Sequence, residues 1–235
     1  MKTVWLLSYP RSGNSMLASM ALASIDDISF ESVYEDKEDE PRFLAEMELL
    51  GVHRLPEPRW MLRKTHSMPD VQPQDRVIWL IRDGRDAMTS YWHYWRKINH
   101  SQLAPVDFWK TLTGPARDGT RSMWHEHMRH VRDAIMPTDH IVVRYEELVN
   151  SPRLAMGSIA QFLHAHFDGN RLEKVSFDKL QSLTPWFYRK GKIGSYVELP
   201  ELALEWLNSR LHGELKRFGY LDEPWQDAFK GGAGI

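Results

Sequence analysis

Thr3-Val4-Trp5-Leu6-Leu7 followed by Ser8-Tyr9-Pro10-Arg11-Ser12-Gly13-Asn14-Ser15 is the stretch on which the fold turns. Five apolar or β-branched residues read as a buried strand, and the run from Ser15 to Ile25 reads as a helix. Between them lies a tight, glycine-containing loop. A strand, such a loop and a helix N-terminus aim backbone N–H groups and the positive end of the helix dipole at one point, which is an anion site. An ordinary βα turn would leave Arg11 and its hydroxyl and amide neighbours without a purpose.

Outward from this loop, the pattern of short apolar runs and amphipathic stretches continues. Further strands are expected at Trp60 to Leu62, Arg76 to Ile81 and His140 to Val143. Helices are expected at Pro41 to Leu50, Arg85 to Ile98, Thr120 to Ile135, Pro152 to Phe167 and Glu201 to Phe218. The alternation predicts an α/β fold with a mainly parallel central sheet flanked by helices, and ligands at the carboxyl ends of its strands. The 235 residues fit one domain, residues 1–235, with a flexible glycine-rich tail after about 230. The formal net charge of −2 gives no global basic field for nucleic acid or membrane, so any anion site must be local. With no cysteine, disulfides, thiolate nucleophiles and cysteine-containing metal sites are excluded. The apolar run Val4 to Leu7 is too short for a signal peptide or membrane anchor, and the expected location is cytoplasmic. Most of the ten tryptophans are expected in the core.

Two further segments carry candidate anion contacts. Val77-Ile78-Trp79-Leu80-Ile81-Arg82-Asp83-Gly84-Arg85-Asp86-Ala87-Met88-Thr89-Ser90 puts Arg82 at a strand end and Ser90 about two helical turns on, so one phosphate can meet both; Arg85 or Asp86 is expected to cap the helix. Phe187-Tyr188-Arg189-Lys190-Gly191-Lys192-Ile193-Gly194 sets cations among aromatics and glycines, and read alone it is either a phosphate contact or a solvated basic turn. The first loop departs from the nucleoside-triphosphate pattern G-x-x-x-x-G-K-[ST], since Ser8 replaces its first glycine and Asn14 its lysine.

Taken together, these motifs resemble those of the PAPS-dependent sulfotransferases of the cytosolic type, with their P-loop nucleotide-hydrolase-like fold. The family's Tyr-Pro-Lys-Ser-Gly-Thr-Thr-Trp is similar to Tyr9 through Met16. Arg82, Asp86 and Ser90 match its second motif, Lys64-Thr65-His66 its lysine-threonine-histidine element, Tyr145-Glu146-Glu147-Leu148 its tyrosine-glutamate-acid-leucine element, and Arg189-Lys190-Gly191-Lys192-Ile193-Gly194 its C-terminal signature. The resemblance implies transfer of a sulfuryl group from 3′-phosphoadenosine-5′-phosphosulfate (PAPS) to a hydroxyl or amine of a small-molecule acceptor, leaving 3′-phosphoadenosine-5′-phosphate (PAP), without a metal. It implies that Arg11, Ser12, Gly13, Asn14 and Ser15 grip the 5′-phosphosulfate and that Arg82, Ser90, Arg189, Lys190 and Gly191 bind the 3′-phosphate. Tyr145 and Phe177 fall where the family contacts adenosine. Met16 stands where its adenine-stacking tryptophan usually lies, and Arg11 where it has lysine. Arg11 and Lys64 are implied as catalytic charge stabilisers and His66 as the catalytic general base; among eleven histidines, only the motif singles His66 out.

His125, Glu126, His127 and His130 crowd one helix but lack the spacing of a zinc-protease helix, and they read as a polar face, with Trp124 and His127 the members closest to an acceptor by the resemblance. Glu35 to Glu40 reads as a solvated loop. Tyr91, Trp92, Tyr94 and Trp95 read as packing, with part of the set available as an acceptor wall. The rival readings are a small-molecule or nucleotide kinase and a non-catalytic nucleotide-binding module.

Overall fold

The computed structural model describes residues 2–30, 39–53, 55 and 57–221. Its centre is a five-stranded sheet in the order β2-β3-β1-β4-β5, where β1 is Lys2–Ser8, β2 Ile28–Phe30, β3 Trp60–Thr65, β4 Arg76–Ile81 and β5 His140–Arg144. Every pairing is parallel. Both faces are therefore covered, and strands covered on both faces read as continuous apolar runs. Val4, Leu6, Leu62, Ile78 and Leu80 face one core with helices α1 (Asn14–Ser24) and α7 (Pro152–Leu163). Leu7, Val77, Trp79 and Ile81 face the other with α3 (Gly84–Ile98), α5 (Trp124–Ile135) and α10 (Glu201–Arg217).

The remaining helices are α2 (Asp39–Leu49), α4 (Pro105–Lys110), α6 (Tyr145–Asn150), α8 (Gly169–Leu172) and α9 (Phe177–Leu183), with a 3₁₀ turn at Ser195–Glu198. Strand β2 and helices α4, α6, α8 and α9 were not expected, each being too short for a periodic signal. Helix α5 begins at Trp124 rather than Thr120, because the Asp118 carboxylate accepts from the Thr120 N–H (3.0 Å) and hydroxyl (2.6 Å) and holds a turn there. Helix α7 stops at Leu163 rather than Phe167, since His164 takes a left-handed conformation (φ 49°). The cap of α3 is neither Arg85 nor Asp86 but Asp83, whose carboxylate accepts from the Arg85 N–H at 2.8 Å. Trp60, Trp79, Trp109 and Trp124 are in the core. Glu35 to Glu38 and the tail after Lys230 lie outside the described residues. No helix among the described residues is long and apolar enough to cross a membrane.

The topology brings the carboxyl ends of β3, β1 and β4 side by side. Leu7 is level with Thr65, and Ser8 with Leu80. The three motif-bearing loops consequently open onto one rim.

Candidate functional site

The β1–α1 loop is rigid for local reasons. Tyr9 is buried and its hydroxyl donates to the Ser122 carbonyl (3.0 Å) and Met88 Sδ (3.1 Å). Arg11 (φ 64°) and Gly13 (φ 98°) both adopt left-handed conformations, which turn the chain sharply into α1. At Gly13 a Cβ would meet the Tyr145 ring at 2.6 Å, so glycine is demanded by conformation and by space. Asn14 Nδ2 donates to the Leu6 carbonyl (3.2 Å) and Ser8 Oγ (2.9 Å), pinning the loop to the strand it leaves. Helix α1 has no acidic residue in its first turn and no side-chain cap, so its positive end is not neutralised within the helix. Ser12 Oγ and Asn14 Oδ1 are buried and have no hydrogen-bond partner among the described residues. Such groups cost free energy unless a ligand meets them.

At the end of β3, Lys64 is buried, with Nζ 3.3 Å from Ser15 Oγ and 4.0 Å from the Phe43 ring centroid. His66 follows. Its Nδ1 lies 2.8 Å from the Ser8 carbonyl. A carbonyl only accepts, so Nδ1 carries the proton, and in the neutral ring the lone pair is on Nε2.

At the end of β4, Arg82 donates from Nη1 to the Arg11 carbonyl (3.0 Å) and from Nη2 to the Lys192 carbonyl (3.1 Å), and its guanidinium lies 4.1 Å from the Tyr145 ring centroid. It ties the first loop to the C-terminal one. Its Nε is buried without a partner among the described residues. One turn on, the fully buried Asp86 accepts from Gly194 N–H (2.8 Å), Tyr196 N–H (3.0 Å) and Ser195 Oγ (3.3 Å), and lies 3.5 Å from Arg82 Nη2. Asp86 is thus the anchor of the C-terminal loop, in place of the cap the sequence suggested.

That loop is braced on its other flank by the buried Glu46 of α2, which accepts from the hydroxyls of Thr184 and Tyr188 (the latter at 3.2 Å) and pairs with Arg42 at 2.7 Å. Burial and the Glu46 charge push the Tyr188 phenol well above its ordinary value, so it stays a donor. Gly191 (φ 61°) lets the backbone lie against Phe177, whose ring a Cβ would meet at 2.5 Å. Arg189 Nη1 and Lys190 Nζ both pair with Glu198, at 3.1 Å and 2.5 Å.

These elements enclose one cavity of about 470 Å³. Of the residues singled out in the sequence, Arg11, Gly13, Asn14, Ser15, Met16, His66, Arg82, Ser90, Tyr145, Phe177, Arg189, Lys190 and Gly191 line it. Ser12 and Lys64 are buried behind the lining. Arg11 differs from the expected geometry: its Nη2 donates to the Phe187 carbonyl (2.5 Å), and its guanidinium lies 4.7 and 4.3 Å from the ring centroids of Tyr94 and Phe187. Its charge stands in the wall between the first loop and an apolar end formed by Tyr91, Tyr94, Trp95, Ile98 and Phe187. Trp92 is turned away, its Nε1 donating to the Leu103 carbonyl at 3.0 Å.

Trp124 and His127 do not reach the cavity. His127 is buried, with Nδ1 2.9 Å from the Ala116 carbonyl, and burial, ahead of other causes, pushes its pKa down to about 4. No group of three or more His, Asp or Glu among the described residues is arranged to hold a metal ion. Sequence reasoning missed Glu46 and Glu198 altogether. The signal for Glu198 was a lone carboxylate a few residues beyond a cation pair and a glycine turn; Glu46 had none.

A family model described as "Sulfotransferase domain" matches residues 1–198. Sulfotransferase 1B1 of Mus musculus is 24% identical over 221 aligned positions, covering 85% of this chain and 70% of that protein. Cytosolic sulfotransferase 12 of Arabidopsis thaliana is 24% identical over 262, covering 91% and 77%. Among solved structures, mouse sulfotransferase SULT7A1 complexed with PAP superimposes with a TM-score of 0.69 at 20% identity over 92% of this chain and 84% of that one. A retinol dehydratase in complex with androsterone and inactive cofactor PAP gives 0.62 at 18% identity over 92% and 82%.

Proposed function

From the premise that the chain belongs to the sulfotransferase domain family, we propose that it transfers a sulfuryl group from PAPS to a small, flat, uncharged acceptor bearing a hydroxyl, with His66 as general base. One observation carries the reading: an anion-gripping loop, a tautomer-fixed histidine and a separate cluster of cations open onto the same cavity. The residues fit the donor. Asn14 Oδ1 and Arg82 Nε, on residues that line the cavity, are buried polar atoms without a partner among the described residues, and at Gly13 and Gly191 the bare backbone lies so close to the Tyr145 and Phe177 rings that a Cβ would collide with them. PAP is the nucleotide in the SULT7A1 and retinol dehydratase complexes, which supports a nucleotide bearing two phosphate ends here.

In this reading the first loop, Arg11 to Ser15, holds the 5′ end. Arg82, Ser90, Arg189, Lys190 and the Gly191 backbone hold the 3′-phosphate, and Tyr145, Phe177 and Met16 flank the adenosine. His66 Nε2 takes the acceptor's proton as the acceptor oxygen bonds to sulfur and the bridging S–O bond breaks. Lys64 and the N-terminal end of α1 stabilise the charge left on the departing phosphate, and Arg11 adds its positive field from the aromatic wall. Tyr91, Tyr94, Trp95 and Phe187 suit a flat acceptor, and among the described residues no carboxylate lines the cavity to draw a cationic amine. A cytosolic location, stated for the Arabidopsis relative by its name, completes the reading.

The test is release of PAP from PAPS with panels of phenols, alcohols and amines. His66→Ala is expected to lower turnover on un-ionised hydroxyl acceptors roughly a hundredfold to ten-thousandfold while PAP affinity by calorimetry stays within about twofold. Wild-type turnover in that variant would remove His66 as the base, and PAPS left intact with every acceptor would overturn the reading.

A further inference from the structure

Arg189 and Lys190 already share a counter-ion. Glu198 offers one carboxylate oxygen to each, Oε2 to Arg189 Nη1 at 3.1 Å and Oε1 to Lys190 Nζ at 2.5 Å. The arrangement is built rather than incidental. Asp86 fixes Gly194, Ser195 and Tyr196 from below, and the 3₁₀ turn Ser195–Glu198 that starts there carries Glu198 back over the two cations. The Glu198 side chain is 37% exposed, against 25% for Arg189 and 43% for Lys190, so the contact sits at the mouth and can open without unfolding anything. Arg82, the third cation at this end, is in turn faced by Asp86. Each carboxylate cancels one unit of the charge available to a dianionic phosphate.

We propose that Glu198 is an internal competitor for the 3′-phosphate, occupying Arg189 and Lys190 when the nucleotide leaves and so setting how tightly donor and product are held. This rests on the assignment of those two cations to the 3′-phosphate. The carboxylate and a phosphate cannot both sit on the same pair at full strength, because like charges a few ångströms apart repel. Displacement of Glu198 therefore subtracts from the affinity for PAP. The gain is a product that departs more readily, from a loop whose two cations keep a carboxylate partner after the phosphate has gone. The neighbouring His93 is pushed down to about 4, by burial first and by the Arg189 charge next, so near neutral pH it adds no charge, and the balance at this end is set by Arg189 and Lys190 against Glu198.

The experiment is calorimetry of PAP and of 5′-AMP, which lacks the 3′-phosphate, on wild type, Glu198→Gln, Glu198→Asp, Arg189→Ala and Lys190→Ala. Glu198→Gln is expected to bind PAP about three- to tenfold more tightly with 5′-AMP unchanged, and the shorter Glu198→Asp to fall between it and wild type. Equal or weaker PAP binding by Glu198→Gln, while Arg189→Ala and Lys190→Ala bind PAP more weakly, would overturn the competition alone and make Glu198 a residue that merely positions the cations. PAP binding unchanged in both Arg189→Ala and Lys190→Ala would overturn the 3′-phosphate assignment and the competition with it. Parallel tightening of 5′-AMP would also count against it, since a general loosening of the loop is not specific to phosphate.

Discussion

In the proposed reading, the two ends of the cavity grip charge by opposite means. At the β1–α1 loop the contacts are buried backbone, hydroxyl and amide groups: Ser12 is inaccessible, Asn14 and Ser15 nearly so, and their positions follow from two left-handed residues and Tyr145 packed against Gly13. At the C-terminal loop the contacts are long, part-exposed cations held by carboxylates, Asp86 within and Glu198 at the surface. The first end is shaped by sterics and cannot be tuned without rebuilding it. The second is shaped by electrostatics, and single charges adjust it.

The sharpest test of that contrast is Asp86→Ala. Breaking a buried, hydrogen-bonded charge pair costs about 3 to 5 kcal/mol, and here it also frees Gly194, Ser195 and Tyr196. Urea unfolding is expected to show a loss of that size, and PAP affinity is expected to drop more than tenfold. An intact PAP affinity would mean that Asp86 does not hold the second end. Next in size, Gly13→Ala combines a left-handed conformation with a 2.6 Å approach to Tyr145, and is expected to cost about 2 to 4 kcal/mol and to abolish donor binding. Gly194→Ala in the other loop is the matched control. Its φ of 77° carries the conformational penalty, yet a Cβ there meets nothing within 4 Å, so about 1 kcal/mol is expected. Equal losses at the two glycines would erase the distinction between a steric end and an electrostatic one.

Acid separates the ends more gently. His127 underlies the first loop, its ring centroid 5.8 Å from that of Tyr9. Its folded pKa of about 4 lies below the unfolded value of 6.5, so the unfolded chain binds more protons between the two and stability falls as pH drops through that window. The expected loss between pH 7 and pH 5 is about 2 kcal/mol, and His127→Gln is expected to flatten it in urea midpoints measured at both pH values. Glu198 acts in a lower window. Its carboxyl is held below the usual value of 4.5, chiefly by Lys190, so its contribution is present above 4.5 and is lost only as pH falls further.

What could be read from the sequence follows the same divide. Strands β1, β3 and β4 and the loops they feed are local patterns, in which an apolar run, a glycine and a helix start lie within a dozen residues. Their meeting at one cavity could be anticipated from that order. Strand β2, three residues long, has no period to detect, and α6 and α9 are too short to separate from loops. Among charges, Arg82 was legible because it ends a strand. The pairing of Asp86 with residues 194–196 spans more than a hundred positions, as does that of Glu46 with Thr184 and Tyr188, and no spacing rule reaches so far. Arg11 shows the converse: its place in the loop was legible, whereas the turn of its guanidinium toward Phe187 depended on a wall supplied from the far end of the chain.

The sheet order has a further consequence. Because β1 lies between β3 and β4, the strands that lead into His66 and Arg82 are held two inter-strand steps apart, about 10 Å across the sheet, by backbone hydrogen bonds that no side chain controls. The sheet acts as a ruler. Its graduations belong to the peptide group itself, so point substitutions along the rim can change what is gripped at each mark and how firmly, while the separation between the marks stays the same.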